Sequence, residues 1–194
     1  MSDLEMQDRQ KMIFDKALEV FAERGYYRTT IEEIATGVNL GKGTVYRIIK
    51  NKEQLFLNLL QLAASARRET VFENINLIDD LRGKLGRFII CLLRFAHSQP
   101  YYFKILTIDV ASGHPDFQQK VKLIQGEYQE IILQLLQDGV KQNKFREISP
   151  YIASTFLCKL IEGAIRIFEE EPNYSADQIV LSMLDLIWNG FGKK

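Results

Sequence analysis

The feature that most restricts the fold of this sequence is the helical spacing of apolar residues along nearly its whole length. Apolar side chains recur at three- and four-residue intervals, and no window alternates with the two-residue period of a strand for long enough to predict one. Among these series are Leu81, Leu85, Phe88, Leu92 and Phe95, and Phe117, Val121, Ile124, Tyr128, Ile131 and Leu135. The spacing predicts an all-α protein of about nine helices.

Residues that favour helix ends punctuate these series. Gly25 follows an apolar stripe and predicts a helix stop. Thr30–Glu33 and Ser175–Gln178 each have the form of a capping box, in which two side chains satisfy exposed N–H groups at a helix start. Prolines suited to a first helical position are Pro100, Pro115 and Pro150. Short helices precede residue 53 and longer ones follow, so we expect two domains, 1–52 and 53–194.

The composition excludes several classes of protein. Because basic and acidic residues are equal in number, any nucleic-acid binding would depend on a local group of basic residues. The 194 residues carry 25 Lys and Arg against 25 Asp and Glu. The longest apolar run, Phe88–Leu93, is far shorter than the ~18 residues of a membrane span, and residues 1–12 lack the apolar stretch of a signal peptide. Cys91 and Cys158 are too few for a disulfide framework or a thiolate metal cluster. We therefore expect a cytoplasmic protein with no metal, no cofactor and no membrane contact.

Residues 31–50 carry the strongest local signal. Ile31, Ile34 and Ala35 predict a short helix, and Asn39 tolerates the left-handed conformation of a tight turn. A second short helix follows from Gly41 to Lys50. Two helices joined by such a turn form a helix-turn-helix, whose second helix enters the major groove of DNA.

The charge of this segment supports a role in binding DNA. No acidic residue interrupts the basic series Lys42, Arg47, Lys50 and Lys52. Gly41 and Gly43 allow the backbone to approach phosphates, and hydroxyl groups can contact phosphates or base edges. The alternative is a solvated basic face on an ordinary helical bundle. The turn, the glycines and Tyr46, taken together with the charge, favour DNA.

The sequence resembles a known family at these positions. The segments Phe21–Tyr26, Thr29–Ala35, Lys42–Tyr46 and Lys52–Phe56 are similar to the DNA-binding domain of TetR-type transcriptional regulators. The resemblance covers about residues 8–56, and it implies an N-terminal three-helix domain followed by a helical domain for dimerisation and small-molecule sensing. Members usually repress genes and leave the operator when an inducer binds.

Two local departures from the family pattern affect the DNA contacts. Val38, Asn39, Leu40 and Gly41 stand where Ala, Gly, Val and a Ser cap are usual, and all of these are compatible with the turn. Ile48 and Ile49 replace an aromatic pair, which removes one expected phosphate contact.

The resemblance assigns DNA contacts to individual residues. It implies phosphate contacts from Thr30, Tyr46 and Lys52, and base-edge contacts from Lys42, Thr44 and Arg47. Gly43 permits close approach, and Lys50 adds a basic group to the same segment. For Arg47 the alternative is a second phosphate contact.

The C-terminal half contains more large apolar residues than one helix seam needs. The resemblance implies that some line an inducer cavity, for which the candidates are Phe88, Phe95, Tyr102, Phe103, Tyr128 and Phe156. Ordinary core packing is the alternative for each. Because few charged residues are candidates for the interior, we expect a hydrophobic or amphipathic ligand.

The last two helices are apolar on more than one side, which is typical of a subunit interface. The candidate interface residues are Phe156, Leu160, Gly163, Ile167, Met183 and Ile187. A four-helix interface around a two-fold axis would make a homodimer. Its two recognition helices, about 34–36 Å apart, would meet successive major grooves of a palindromic double-stranded DNA site.

No catalytic arrangement is present in the sequence. His97 and His114 lack the short spacing of a helical metal pair, and Lys42-Gly43-Thr44 lacks the first glycine and the preceding strand of a phosphate loop. We therefore expect a regulator rather than an enzyme. The alternative function is a helical protein-interaction module whose helix-turn-helix no longer reads DNA, for which Ile48 and Ile49 are the only indication.

Overall fold

Helices make up the fold, as the apolar spacing predicts. A computed structural model describes residues 3–75 and 78–191, and no β-strand occurs among them. The helices of that part are α1 (Asp3–Arg28), α2 (Ile31–Gly37), α3 (Lys42–Ile48), α4 (Lys52–Ile75), α5 (Leu81–Ser98), α6 (Pro100–Thr107), α7 (Pro115–Lys141), α8 (Pro150–Glu170) and α9 (Ala176–Phe191). Within the same residues, none of these helices is long and apolar enough to cross a membrane.

The helix ends follow the local signals in the sequence. Gly25 interrupts α1 with a positive φ of 78°, a conformation that glycine adopts without strain. The hydroxyl oxygen of Thr30 caps α2 by accepting from the N–H of Glu33 at 3.2 Å. Ser175 and Gln178 complete a reciprocal capping box before α9, with bonds of 3.2 and 2.9 Å. The three prolines begin α6, α7 and α8.

Contacts group the chain into two compact units. The first comprises Met1–Ala66 and Gln99–Gln125. In it, α1 packs on α2 and α6, and α2 packs on α3. An aromatic cluster of Phe21, Tyr26, Phe56 and Phe117, with ring centroids 4.9 to 6.2 Å apart, joins α1, α4 and α7. This core supports the helix-turn-helix.

The second unit comprises Arg67–Ser98 and Gly126–Lys194. Its centre is α5, which packs on both α8 and α9 and whose predicted apolar series is buried throughout. Gly139 of α7 lies against the ring of Phe145, where a side chain at position 139 has no space. The proposed division of the chain at residue 52 stays a prediction, because the units are defined by packing and each draws on two stretches of sequence.

Candidate nucleic-acid interface

The helix-turn-helix is held together by a small apolar core. Ile31, Ile34 and Val45 are at most 4% exposed, so α2 and α3 each turn one side inward. Asn39 has the predicted positive φ, 54°, in the turn. The N–H of Leu40 donates to the carbonyl of Ala35 at 2.9 Å, which closes the turn before α3 begins. The burial of Val45 therefore determines which side of α3 faces outward.

The outward side of α3 carries the predicted DNA-contacting residues. Lys42, Gly43, Tyr46 and Arg47 are exposed, and Thr44 is half-buried. A Cβ built on Gly43 would meet no atom within 4 Å, so packing within the chain does not require glycine there. The missing side chain therefore leaves room beside the first turn of α3 for an approaching backbone.

Polar contacts preorganise this surface. Lys42 forms an ion pair with Glu32 of α2 and lies 5.8 Å from the centroid of the Tyr46 ring. Hydrogen bonding to Lys42 lowers the pKa of Glu32, and the same bond raises the pKa of Lys42. The guanidinium of Arg47 donates to the Thr44 hydroxyl at 3.4 Å, one turn earlier in the helix. The three base-edge candidates thus lie on one exposed surface.

The predicted DNA-binding residues at the edge of this surface differ in the contacts that they make within the protein. Lys50 is exposed, whereas the Lys52 ammonium lies 4.4 Å from the centroid of the Tyr26 ring and donates to the Tyr27 carbonyl at 3.5 Å. Burial lowers the pKa of Lys52. Thr30 is exposed, and as a cap its oxygen accepts a bond while its own proton remains available to an outside acceptor.

Two contacts near this surface were not predicted from the sequence. Glu32 neutralises Lys42, although the two residues are ten positions apart. The hydroxyl of Tyr27 donates to the Ser112 carbonyl at 2.7 Å and accepts from the Ser112 N–H, which joins the end of α1 to the segment before α7. No periodic signal indicates either pair, because each depends on how separate helices meet.

The structure separates the predicted ligand-binding residues by their environments. Phe88 and Phe95 of α5 are at most 1% exposed and belong to the core of the second unit. Tyr102 and Phe103 are half-buried on α6, in the first unit. Phe156 is 61% exposed in the single chain, so its place in a ligand cavity stays a prediction.

The predicted interface residues fall into an exposed group and a buried group. Leu160, Gly163, Ile167 and Met183 line a groove of about 600 Å³ between α8 and α9. Phe156, Leu160 and Ile167 are 43% to 61% exposed, as an interface requires.

On α9 the predicted interface residues are much less exposed than those on α8. Met183 and Ile187 are at most 7% exposed in the single chain, because α9 packs on α5, and their place in an interface stays a prediction. Leu181 and Leu186, at 61% and 63% exposure, lie on the outward side instead.

A buried cation in the second unit was also missed. Arg67 is only 7% exposed, and its guanidinium carbon lies 5.2 Å from the centroid of the Tyr128 ring. The signal that could have found it is the three- and four-residue spacing of Phe56, Leu60, Ala63, Arg67 and Val71, which are all buried on α4. Burial lowers the pKa of Arg67 and raises the pKa of Tyr128.

The cysteines and acidic residues of the described chain form no metal centre. Among residues 3–75 and 78–191, no group of three or more His, Cys, Asp and Glu side chains lies close enough to share a metal ion. Cys91 and Cys158 are buried free thiols, and burial raises the pKa of both. A raised pKa keeps a thiol protonated and therefore unreactive at neutral pH.

Comparisons with known proteins agree with this geometry. Residues 13–59 match the family model described as bacterial regulatory proteins, tetR family, and residues 79–191 match the tetracyclin repressor-like C-terminal domain. The chain is 24% identical over 179 residues to the uncharacterized HTH-type transcriptional regulator YhgD of Bacillus subtilis, covering 92% of this chain and 94% of that protein.

Solved structures share the fold across almost the whole chain. The transcriptional regulator FadR from Bacillus subtilis, in complex with stearoyl-CoA, superposes with a TM-score of 0.75 at 22% identity, covering 93% of this chain and 98% of that one. AibR in complex with isovaleryl coenzyme A and operator DNA gives 0.77 at 18% identity, covering 92% and 97%. The helix-turn-helix, the C-terminal helical unit and both family matches show that the chain belongs to the TetR family, which comprises transcriptional regulators and not enzymes.

Proposed function

We propose that this regulator binds a palindromic operator as a homodimer and leaves it when an amphipathic small molecule with a large apolar part binds. The observation that carries the proposal is the exposed surface of α3, where Lys42, Tyr46 and Arg47 lie together beside a glycine. A basic helix face of this kind fits the major groove, whose base edges and flanking phosphates accept hydrogen bonds.

Each residue of the surface has a proposed role in that complex. Lys42, Thr44 and Arg47 contact base edges, and a bidentate pair between Arg47 and guanine would contribute about 1–3 kcal/mol of discrimination. Thr30, Tyr46, Lys50 and Lys52 contact phosphates. These contacts position α3 without reading sequence. Gly43 allows the DNA backbone to approach α3 closely.

The outward faces of α8 and α9 support the dimer. Phe156, Leu160, Ile167, Leu181 and Leu186 are each more than two-fifths exposed in the single chain. Exposed apolar patches of this kind mark interaction surfaces. A two-fold axis beside the α8–α9 groove would bury them in a four-helix interface, which presents two copies of α3 to one duplex.

Relatives indicate the chemical class of the ligand. The complexes of FadR with stearoyl-CoA and of AibR with isovaleryl coenzyme A and operator DNA share this fold. In this chain the second unit has the large apolar side chains, Phe88 and Phe95 among them, that an acyl group would contact. We therefore propose an acyl-bearing ligand and a repressor that the ligand releases from DNA.

A titration of labelled operator duplex tests the proposal as a whole. The duplex is one recovered by selection from a random pool, and fluorescence anisotropy gives its affinity, stoichiometry and salt dependence. We expect two subunits per duplex, a steep loss of affinity with salt, and release by one length class of acyl-CoA. Salt-insensitive binding, or one subunit per duplex, would contradict the proposal, and release by every apolar additive would contradict its ligand specificity.

A further inference from the structure

Arg67 is a buried charge that the helical packing does not explain. Its side chain is on the inward side of α4, and its guanidinium stacks near the ring of Tyr128. None of the ion pairs among the described side chains includes Arg67. A guanidinium removed from water without a carboxylate partner is costly, so such a group normally has an anion to bind.

Two carboxylates that act on Arg67 or on Tyr128 are already engaged by other cations. Glu127 is close enough to act on Arg67 electrostatically, but its Oε2 accepts from Arg68 at 2.6 Å. Glu162 accepts from the Tyr128 hydroxyl at 3.4 Å, and it pairs with Lys159 at 2.9 Å. Three cations thus accompany two carboxylates in this part of the second unit. The excess positive charge belongs to Arg67, the most buried of the three cations.

We propose that Arg67 binds the anionic group of the regulatory ligand, with the Tyr128 ring fixing the plane of its guanidinium. The inference rests on the proposed ligand response and adds the charge of the ligand to it. Arginine presents paired N–H donors that match a carboxylate or a phosphate, and an aromatic face beside it orients those donors. The ligand is therefore an amphipathic anion, whose apolar part packs in the helical unit.

A set of related probes separates the charge of the ligand from its apolar chain. Lauroyl-CoA, laurate and dodecanol share an alkyl chain, and only the first two carry an anionic group. CoA alone carries the phosphates without the chain. Binding of each probe to the full-length protein is measured by isothermal titration calorimetry, and release of operator DNA is measured on the same samples.

Variants at Arg67 test whether this residue supplies the discrimination. Arg67→Met keeps the length of the side chain and removes the charge, and Arg67→Lys keeps the charge and removes the planar fork. Arg146→Met is the matched control, because Arg146 is exposed and lies outside α4. Thermal unfolding of every variant shows whether it retains its fold.

The wild-type protein is expected to bind laurate or lauroyl-CoA about ten- to a hundredfold more tightly than dodecanol. Arg67→Met abolishes this ratio while leaving the binding of dodecanol and the unfolding temperature unchanged or higher. Arg67→Lys restores part of the ratio, and Arg146→Met has the wild-type ratio. If CoA alone binds and this binding depends on Arg67, the phosphates are the anion that Arg67 recognises. If CoA alone does not bind in this way but laurate does, the carboxylate is that anion.

Specific results overturn the inference. Equal affinity of the wild-type protein for laurate, lauroyl-CoA and dodecanol overturns it without any variant. An undiminished preference of Arg67→Met for the anionic probes also overturns it. If Arg67→Met does not fold, the same result in both Arg67→Lys and Arg67→Gln overturns it. If dodecanol releases the operator as effectively as laurate does, the proposed ligand response is retained and only the proposed role of Arg67 is refuted. If none of the probes binds, both the proposed ligand response and the proposed role of Arg67 are refuted.

Discussion

Lys42, the first residue of α3 in the helix-turn-helix, is ion-paired with Glu32 of α2. The pair lowers the pKa of Glu32 and raises the pKa of Lys42, so both groups are charged at neutral pH. A phosphate or a base edge must therefore compete with Glu32 for the Lys42 ammonium. This carboxylate is a negative charge at the surface that we propose for DNA, so we expect it to weaken non-specific attraction to phosphates.

Replacing Glu32 with glutamine should strengthen DNA binding and increase its salt dependence. The substitution removes a negative charge near the phosphates and frees Lys42 to release one further counterion. We expect affinity to rise about two- to fivefold at low salt, with the slope of log K against log salt steeper by about 0.9. Anisotropy titrations over a range of salt concentrations measure both quantities. Glu130→Gln, an equally charged change at an exposed site on α7, is the control, and identical behaviour of the two variants would contradict the role of Glu32.

A charge on the outward face of α8 should separate the subunits. Leu160 is 48% exposed in the single chain, and Leu160→Glu would bury a carboxylate in the proposed interface. We expect the dimer dissociation constant to rise about a hundredfold or more, as for loss of a central contact. Sedimentation velocity measures the assembly. Leu123→Glu, on a leucine of α7 that is 66% exposed, should leave the dimer intact, and a dimeric Leu160→Glu would place the interface elsewhere.

Two glycines of α7 should respond oppositely to alanine. At Gly139 a Cβ would overlap the ring of Phe145 and lie 2.8 Å from Cδ2 of Leu81, whereas at Gly126 it would meet nothing within 4 Å. Overpacking should lower the free energy of unfolding of Gly139→Ala by about 1–3 kcal/mol. Gly126→Ala should raise it by about 0.5–1 kcal/mol, because alanine favours helix. Urea unfolding distinguishes these outcomes, and equal effects at both positions would show that Phe145 does not confine Gly139.

Stability in alkali should depend on Tyr26. Burial, followed by the charges of Glu53 and Tyr27, raises the pKa of Tyr26 from 10.0 to about 12. Between these values the unfolded chain loses a proton that the folded chain keeps, so the free energy of unfolding falls as pH rises. This stabilising contribution is complete below pH 10 and is lost as pH rises through about 12, and its size is at most about 2.7 kcal/mol.

Tyr26→Phe should therefore show a shallower decline in the free energy of unfolding over this pH range, measured by urea unfolding at each pH. Tyr151→Phe, at a tyrosine that is 67% exposed, should decline as the wild type does. Parallel curves for Tyr26→Phe and the wild type would mean that Tyr26 titrates normally in the folded protein.

Local signals in the sequence were sufficient for most helix boundaries and for the helix-turn-helix. Thr30, Asn39, Pro115 and Ser175 act through their own backbone or through neighbours within one turn, so their roles are legible without tertiary structure. The all-α class and the helix-turn-helix follow from the same signals.

Features set by packing were not accessible in this way. Both sides of α9 are apolar, so its sequence did not distinguish the core-facing Ile187 from the outward Leu186; its packing on α5 does. The burial of Arg67 on α4 and the pairing of Lys42 with Glu32 likewise depend on which helices meet. These are the features on which ligand recognition and DNA affinity are proposed to depend.

Selection of bound duplexes from a random DNA pool at moderate salt tests the central claim most directly, namely that a dimer reads DNA through α3. We expect a palindrome whose half-sites lie about 10–10.5 bp apart or a multiple of that spacing. We also expect that Arg47→Ala, selected in parallel, loses preference at one base pair in each half-site while remaining dimeric. Failure of the wild-type protein to enrich any sequence would contradict the account and favour a helical interaction module whose helix-turn-helix does not read DNA.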